Sequence, residues 1–219
     1  MKRQYHIEMQ SILQKLPKNP PPKLLLHSCC GPCSTAVLES LTPHFEILLY
    51  YYNPCIAPQA EFDRRLETQK QLLAQLNPVY PITLVVPPYD FQQYLQAVGD
   101  AINTPEGGER CRRCIAQRMN EAAQAALQYH CDYFTTTLSV SPHKNAPFIN
   151  ECGAQLAGEW GIPFLPSDFK KQGGYARSVA LSRSYGLYRQ DYCGCPNSLN
   201  EAKVRRLQHM PTQNSNSDK

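Results

Sequence analysis

Lys23-Leu24-Leu25-Leu26-His27-Ser28-Cys29-Cys30-Gly31-Pro32-Cys33 decides the reading of this chain. Three leucines flanked by Lys and His form a short apolar run, the pattern of a strand buried on both faces. The run passes directly into a turn that holds three cysteines, and residues 34–41 read as a helix. A strand, a chemically loaded turn and a helix form the unit of an α/β domain.

The same alternation continues on both sides. Upstream, Ile7, Met9, Ile12, Leu13 and Leu16 fall at helical spacings, so a helix is predicted over 2–16. Lys18-Asn19-Pro20-Pro21-Pro22 ends it as a rigid connector. Downstream, strands are predicted at 45–52, 82–86, 132–138 and, shorter, at 162–165. Helices are predicted at 60–76, 89–98, 113–129, 144–160 and 179–185, and a Gly-containing loop at 104–110. The expected fold is therefore α/β, a three-layer domain with a mostly parallel sheet. Sites in such sheets form at the carboxyl ends of strands, where both the cysteine turn and the segment after Leu138 fall. The expected organisation is an N-terminal helix and Pro linker over 1–22, one catalytic domain over 23–200, and a polar C-terminal tail over 201–219, frayed from Pro211.

Composition narrows the class. The chain has 219 residues, 42% of them hydrophobic and 10% aromatic, which excludes wholesale disorder. A chain this long buries about 70% of its unfolded surface without a disulfide scaffold. The net charge of +4 does not by itself announce a nucleic-acid protein. No apolar run reaches the length of a membrane span and no apolar stretch follows the basic start, so a cytoplasmic protein without membrane partners is expected. Ten cysteines in a reducing compartment point to metal or redox work.

Spacing sorts those cysteines. Cys131 and Cys152 stand alone, as small buried hydrophobes usually do, and Cys55 follows the Asn53-Pro54 break at a strand end. Cys111-Arg112-Arg113-Cys114 places two thiols at a helix start, where dipole and arginines favour thiolates. Such a pair reads as half a zinc site, half an iron–sulfur site or a dithiol. Joined to Cys29, Cys30 and Cys33 it offers enough thiolates for zinc or a 4Fe-4S cluster. Adjacent cysteines suit the larger cluster better, because its iron corners lie farther apart. Cys193-Gly194-Cys195 can close a strained, labile disulfide or supply two further metal ligands.

Around that last pair the charge is positive: Lys170, Lys171, Arg177, Arg183 and Arg189 outnumber Asp168 and Asp191 between residues 164 and 195. An anionic partner such as a nucleic-acid backbone fits, and so does an ordinary solvated basic face. Tyr175, Tyr185, Tyr188 and Tyr192 offer rings for base stacking or for packing. No phosphate-cradling glycine motif is present. A Cys–His hydrolase based on His27 or His143 would leave most of the clustered cysteines surplus, and His27 reads as a packed histidine.

In order, these motifs resemble the QueH family, the non-cobalamin epoxyqueuosine reductases of the tRNA queuosine pathway. The resemblance is carried by His27-Ser28-Cys29-Cys30-Gly31-Pro32-Cys33, Tyr52-Asn53-Pro54 with Glu61-Phe62-Asp63-Arg64-Arg65, and Gly108-Glu109-Arg110-Cys111-Arg112-Arg113-Cys114. It continues through Phe134-Thr135-Thr136-Thr137-Leu138, Ser141-Pro142-His143-Lys144-Asn145, Asp168-Phe169-Lys170-Lys171, Gly174-Tyr175-Ala176-Arg177-Ser178 and Leu187-Tyr188-Arg189-Gln190-Asp191-Tyr192-Cys193-Gly194-Cys195. Cys55 departs from the family pattern, which usually has Asn after Asn-Pro.

The resemblance implies a HUP-like nucleotide-binding fold with helical C-terminal elements, and a 4Fe-4S cluster held by Cys29, Cys30, Cys111 and Cys114. It implies an additional iron near Cys33 and a redox-active disulfide between Cys193 and Cys195. The implied reaction turns epoxyqueuosine at the tRNA wobble position into queuosine, the last step of queuosine biosynthesis, with an unidentified electron donor. Asp168 or Tyr175 is the expected proton source. Lys144, Lys170, Lys171, Arg177 and Arg189 are the expected phosphate contacts on an anticodon whose bases splay onto aromatics. The competing readings are a zinc-stabilised tRNA-binding module without catalysis and a general thiol–disulfide oxidoreductase.

Overall fold

The computed structural model describes residues 3–208, so the tail from Pro211 lies outside the described residues. Four parallel strands form one sheet in the order β3-β2-β1-β4: β1 (Lys23–His27), β2 (Glu46–Tyr50), β3 (Ile82–Val85) and β4 (Tyr133–Thr136). The register runs Leu25↔Leu48 between β1 and β2, Leu25↔Phe134 between β1 and β4, and Leu48↔Thr83 between β2 and β3.

Each central strand feeds two cores because successive side chains point to opposite faces. Leu24, Leu26, Ile47 and Leu49 pack with Met9 and Leu13 of α1 (Tyr5–Leu13), Val37, Leu38 and Leu41 of α2 (Gly31–Leu41), and Leu72 of α3 (Gln59–Gln75). Leu25, Leu48 and Tyr50 pack on the other face. Their partners there are Ile115 and Met119 of α5 (Glu109–Gln128) and Ile149 and Leu156 of α6 (Ala146–Trp160). The result is the expected three-layer α/β sandwich. Its remaining helices are α4 (Phe91–Val98), α7 (Gly174–Ser184) and α8 (Pro196–Gln208). Among the described residues no helix is long and apolar enough to cross a membrane.

Several boundaries differ from the sequence reading; α7 begins at Gly174, five residues before the predicted start, and four other departures have a visible cause or consequence. Residues 162–165 make only an isolated bridge, Phe134↔Phe164, because Pro163 has no N–H with which to extend a ladder. β4 ends at Thr136, whose hydroxyl accepts from the Leu138 amide and starts a 3-10 turn. α5 begins at Glu109, with Gly108 as its cap, so both Cys111 and Cys114 are helical. The C-terminal polar segment is helical through Gln208 and is tied down by Glu201, which accepts from Arg110 at 3.0 Å.

Candidate redox and metal site

Three strands deliver their chemistry to one edge. β1 runs through buried His27 and Ser28 into Cys29, β2 into Tyr51 and Asn53, and β4 into Thr137. His27 is wholly buried, with its ring nitrogens 2.8 Å from Thr136 Oγ1 and 3.0 Å from the Tyr52 carbonyl. Burial, helped by the charge of Arg118, lowers its pKa to about 4 and keeps it neutral. It joins all three strand ends, so its role is structural support for the cysteine turn.

The turn itself is tight. Cys30 is the extended residue that precedes α2, and Pro32 fits the first helical turn because it needs no amide donor. A side chain at Gly31 would meet the Thr68 carbonyl of α3 at 2.9 Å, so only glycine allows the two helices to close here. The sulfurs of Cys29, Cys30 and Cys33 lie within 4.8 Å of one another, and Cys29 is 3.9 Å from Cys30. Hydrogen bonds from Cys29 and Cys33, with Arg65 facing the group, hold the Cys30 thiol well below its usual range. Thr137 Oγ1 donates to Cys29 Sγ at 3.4 Å.

A cavity of about 530 Å³ opens beside these thiols. Its lining includes Cys29, Cys33, Arg65, Arg118, Lys144 and Cys193, with Tyr175, Arg189, His143 and Arg205 also on its walls. Behind it lies a space of about 10 Å³ lined by Cys55, Cys111, Cys114, Cys193 and Cys195 together with Tyr94, Arg110, Arg118 and Lys144. Arg118, Lys144 and Cys193 border both. Arg118 sits one helical turn after Cys114 and donates to its carbonyl at 3.1 Å. Burial opposes its charge, but Cys114, Cys55, Cys193 and Cys29 hold it protonated. The Cys114 thiol is lowered first by a hydrogen bond from Cys55 and then by Arg118.

All ten cysteines are free. Cys193 Sγ accepts from Lys144 Nζ at 3.1 Å, while Cys195 Sγ accepts from the Ser198 amide at 3.4 Å in the first turn of α8. Between them Gly194 has φ +131°, and an added Cβ would meet Ile56 Cγ1 at 2.8 Å. Glycine is required there on both counts. Arg65, buried in α3, donates to the Cys193 carbonyl at 2.9 Å and pairs with Glu61 at 2.7 Å.

The structure thus draws Cys29, Cys30 and Cys33 into one group and sets Cys111, Cys114, Cys193 and Cys195 around the adjoining space. Other expected residues fall differently. Lys144 is half-buried, donates to Cys193 Sγ and borders the cavity. Asp168 does not line either cavity and pairs with Lys170 at 2.9 Å. Arg177 is bound to Glu39 at 2.6 Å, away from the cavity wall. Tyr175 and Arg189 do reach it, with the Arg189 guanidinium 5.6 Å from the Tyr175 ring centre. Sequence reasoning missed Arg118, Arg65 and the placement of Cys55 against Cys114. The four-residue step from Cys114 to Arg118 was the available signal, since it places both on one helix face.

A family model described as epoxyqueuosine reductase QueH matches residues 24–201. The chain is similar to epoxyqueuosine reductase QueH of Staphylococcus epidermidis, 42% identical over 179 residues that cover 80% of this chain and 75% of the relative. The protein of that name from Streptococcus pyogenes is 40% identical over 176 residues, 80% of this chain and 69% of the relative. That of Thermotoga maritima is 33% identical over 190 residues, 84% of this chain and 94% of the relative.

Proposed function

From the premise that this chain belongs to the QueH family of epoxyqueuosine reductases, we propose that it removes the epoxide oxygen of epoxyqueuosine at the wobble position of tRNA, leaving queuosine. The observation that carries the reading is the Cys29/Cys30/Cys33 group beside a strand-end cavity of about 530 Å³ that Cys193 also borders, with Cys111, Cys114 and Cys195 around the adjoining space.

The donor set fits an iron–sulfur group. The ligands offered are thiols, the class such clusters take, and the buried guanidinium of Arg118 offsets their negative charge when ionised. Cys29 and Cys30 from the turn, with Cys111 and Cys114 from α5, would hold a 4Fe-4S cluster, and Cys33 would be free to ligate an additional iron. When bound, such a centre would pass single electrons and polarise an oxygen as a Lewis acid.

The chain's own groups account for the rest. Opening an epoxide to an alkene and water takes two electrons and two protons, and the Cys193/Cys195 dithiol stores both electrons. Tyr175 and Arg189 at the cavity wall would stack and hold the anticodon bases, and Lys171 would face phosphates. Lys170 and Arg177, each already paired with a carboxylate, would contribute less. Tyr175 is the better placed of the two expected proton sources, because Asp168 lies off the cavity.

Anaerobically purified protein should carry iron and sulfide and convert epoxyqueuosine-containing tRNA, as nucleoside analysis would read. Cys29→Ala, Cys30→Ala, Cys111→Ala and Cys114→Ala should each lose metal and turnover. Three variants retaining full iron, sulfide and activity would overturn the ligand set. A colourless zinc protein would turn the reading toward the tRNA-binding module.

A further inference from the structure

The two sulfurs of the Cys193/Cys195 pair do not face the same surroundings. Cys193 is half-buried and borders the open 530 Å³ cavity. Cys195 is 5% exposed and borders only the small space behind it, packed with Tyr51, Ile56, Tyr94 and Cys114. The backbone that carries them is pinned on both sides. Arg65 holds the Cys193 carbonyl at 2.9 Å, the Ala57 amide donates to the Gly194 carbonyl at 3.1 Å, and the Gly194 amide donates to Ser198 Oγ at 3.2 Å. Which sulfur faces outward is therefore set by the fold.

Their polar partners differ in a complementary way. Lys144 places an ammonium 3.1 Å from Cys193, where it would attract an incoming thiolate. Cys195 accepts from an amide in the first turn of α8, which suits a sulfur that departs as a thiolate. Thiol–disulfide exchange depends on access to the attacked sulfur and on stabilisation of the leaving one. The Lys144 ammonium would also steady Cys193 as a thiolate, so access decides the direction: Cys193, not Cys195, borders the open cavity.

We propose that the pair is polar: a thiol reductant enters through the open cavity and attacks Cys193, Cys195 leaves, and the reductant and the tRNA nucleoside occupy that cavity in turn. The inference rests on the proposed redox role of the pair and supplies the chemical class of its electron donor. In the first step a donor thiolate forms a bond to Cys193 Sγ, the Cys193–Cys195 bond breaks, and Cys195 takes the electron pair as a thiolate. In the second, another donor thiolate attacks the donor sulfur of that mixed disulfide, releasing Cys193 thiolate and an oxidised donor. Two electrons have moved from donor to protein. They and two protons then convert epoxide to alkene and water, which restores the disulfide. Because Cys193 borders the same cavity as Cys29 and Cys33, a nucleoside that fills it would stand in the donor's way.

The test uses the metal-loaded protein with oxidised glutathione as the probe. Cys195→Ser should form a glutathione mixed disulfide at Cys193, roughly tenfold or more faster than Cys193→Ser forms one at Cys195. Fragment mass spectrometry locates the adduct. Reduced parent protein treated with a limiting amount of iodoacetamide should likewise be labelled first at Cys193, a measurement independent of either variant. Initial rates with dithiothreitol and tRNA both varied should give parallel double-reciprocal lines. Equal labelling of the two sulfurs, or faster labelling of Cys195, overturns the polarity. Intersecting lines overturn the shared entrance. Thiol counting in oxidised parent separates the levels of failure: a pair that never closes overturns the redox role and this inference with it, whereas a disulfide with equal labelling overturns this inference alone.

Discussion

Gly31→Ala is the smallest change that tests how the cysteine turn is held. The added methyl would lie 2.9 Å from the Thr68 carbonyl oxygen and 3.0 Å from Thr68 Cγ2, about half an ångström inside ordinary contact. The first obstacle is backbone, so no rotamer change relieves it. Either α2 moves off α3 or the Cys30-to-Cys33 turn tilts. Overpacking of this kind costs about 1–3 kcal/mol. For a chain of this size each kcal/mol is worth about 2–4 °C, so the melting temperature should fall by roughly 2–12 °C. The sulfurs of Cys30 and Cys33 ride on the displaced segment, so iron retention after anaerobic desalting should fall with it. Differential scanning calorimetry and iron analysis of the same preparation check both effects. A variant that melts with the parent and keeps its iron would refute the close-packing argument.

Three other outcomes follow from named contacts. Arg118→Met removes the buried cation beneath Cys114, Cys55, Cys193 and Cys29, so the protein should lose most of its iron, while a melting temperature close to the parent's would show that packing survives; full iron content would refute the charge argument. His27 has its pKa lowered to about 4 from 6.5, so between those values the unfolded chain takes up a proton that the folded one refuses, and stability falls as pH drops from about 6.5 towards 4. The loss approaches roughly 3 kcal/mol, and it should shrink in His27→Gln when urea midpoints are compared at pH 7 and 4.5; equal losses would exonerate His27. Combined Lys171→Ala and Arg189→Ala should flatten the salt dependence of tRNA binding by roughly 1.4 in log–log slope if both meet single-stranded phosphates, and an unchanged slope in filter binding would move the RNA surface elsewhere.

What the sequence made legible was local. The run Lys23–His27 needed only its own leucines, and the structure places that strand with the same limits. Helix starts were read less closely: the helix expected from 113 begins at Glu109 behind a Gly108 cap, and the one expected from 144 begins at Ala146, capped by Asn145. The strand expected at 162–165 failed for an equally local reason, Pro163. The site was legible only in part, because its chemistry depends on distant pairs. Nothing near Pro142-His143-Lys144 announces that the lysine meets a sulfur 49 residues later. Cys55 looked like one residue after a strand break, yet the fold lays it against Cys114. Arg118 fell between these cases, with its spacing to Cys114 visible and its burial not. A cation buried among thiols has a function only through those thiols, so its meaning emerges when β1, β2 and α5 deliver them to one edge.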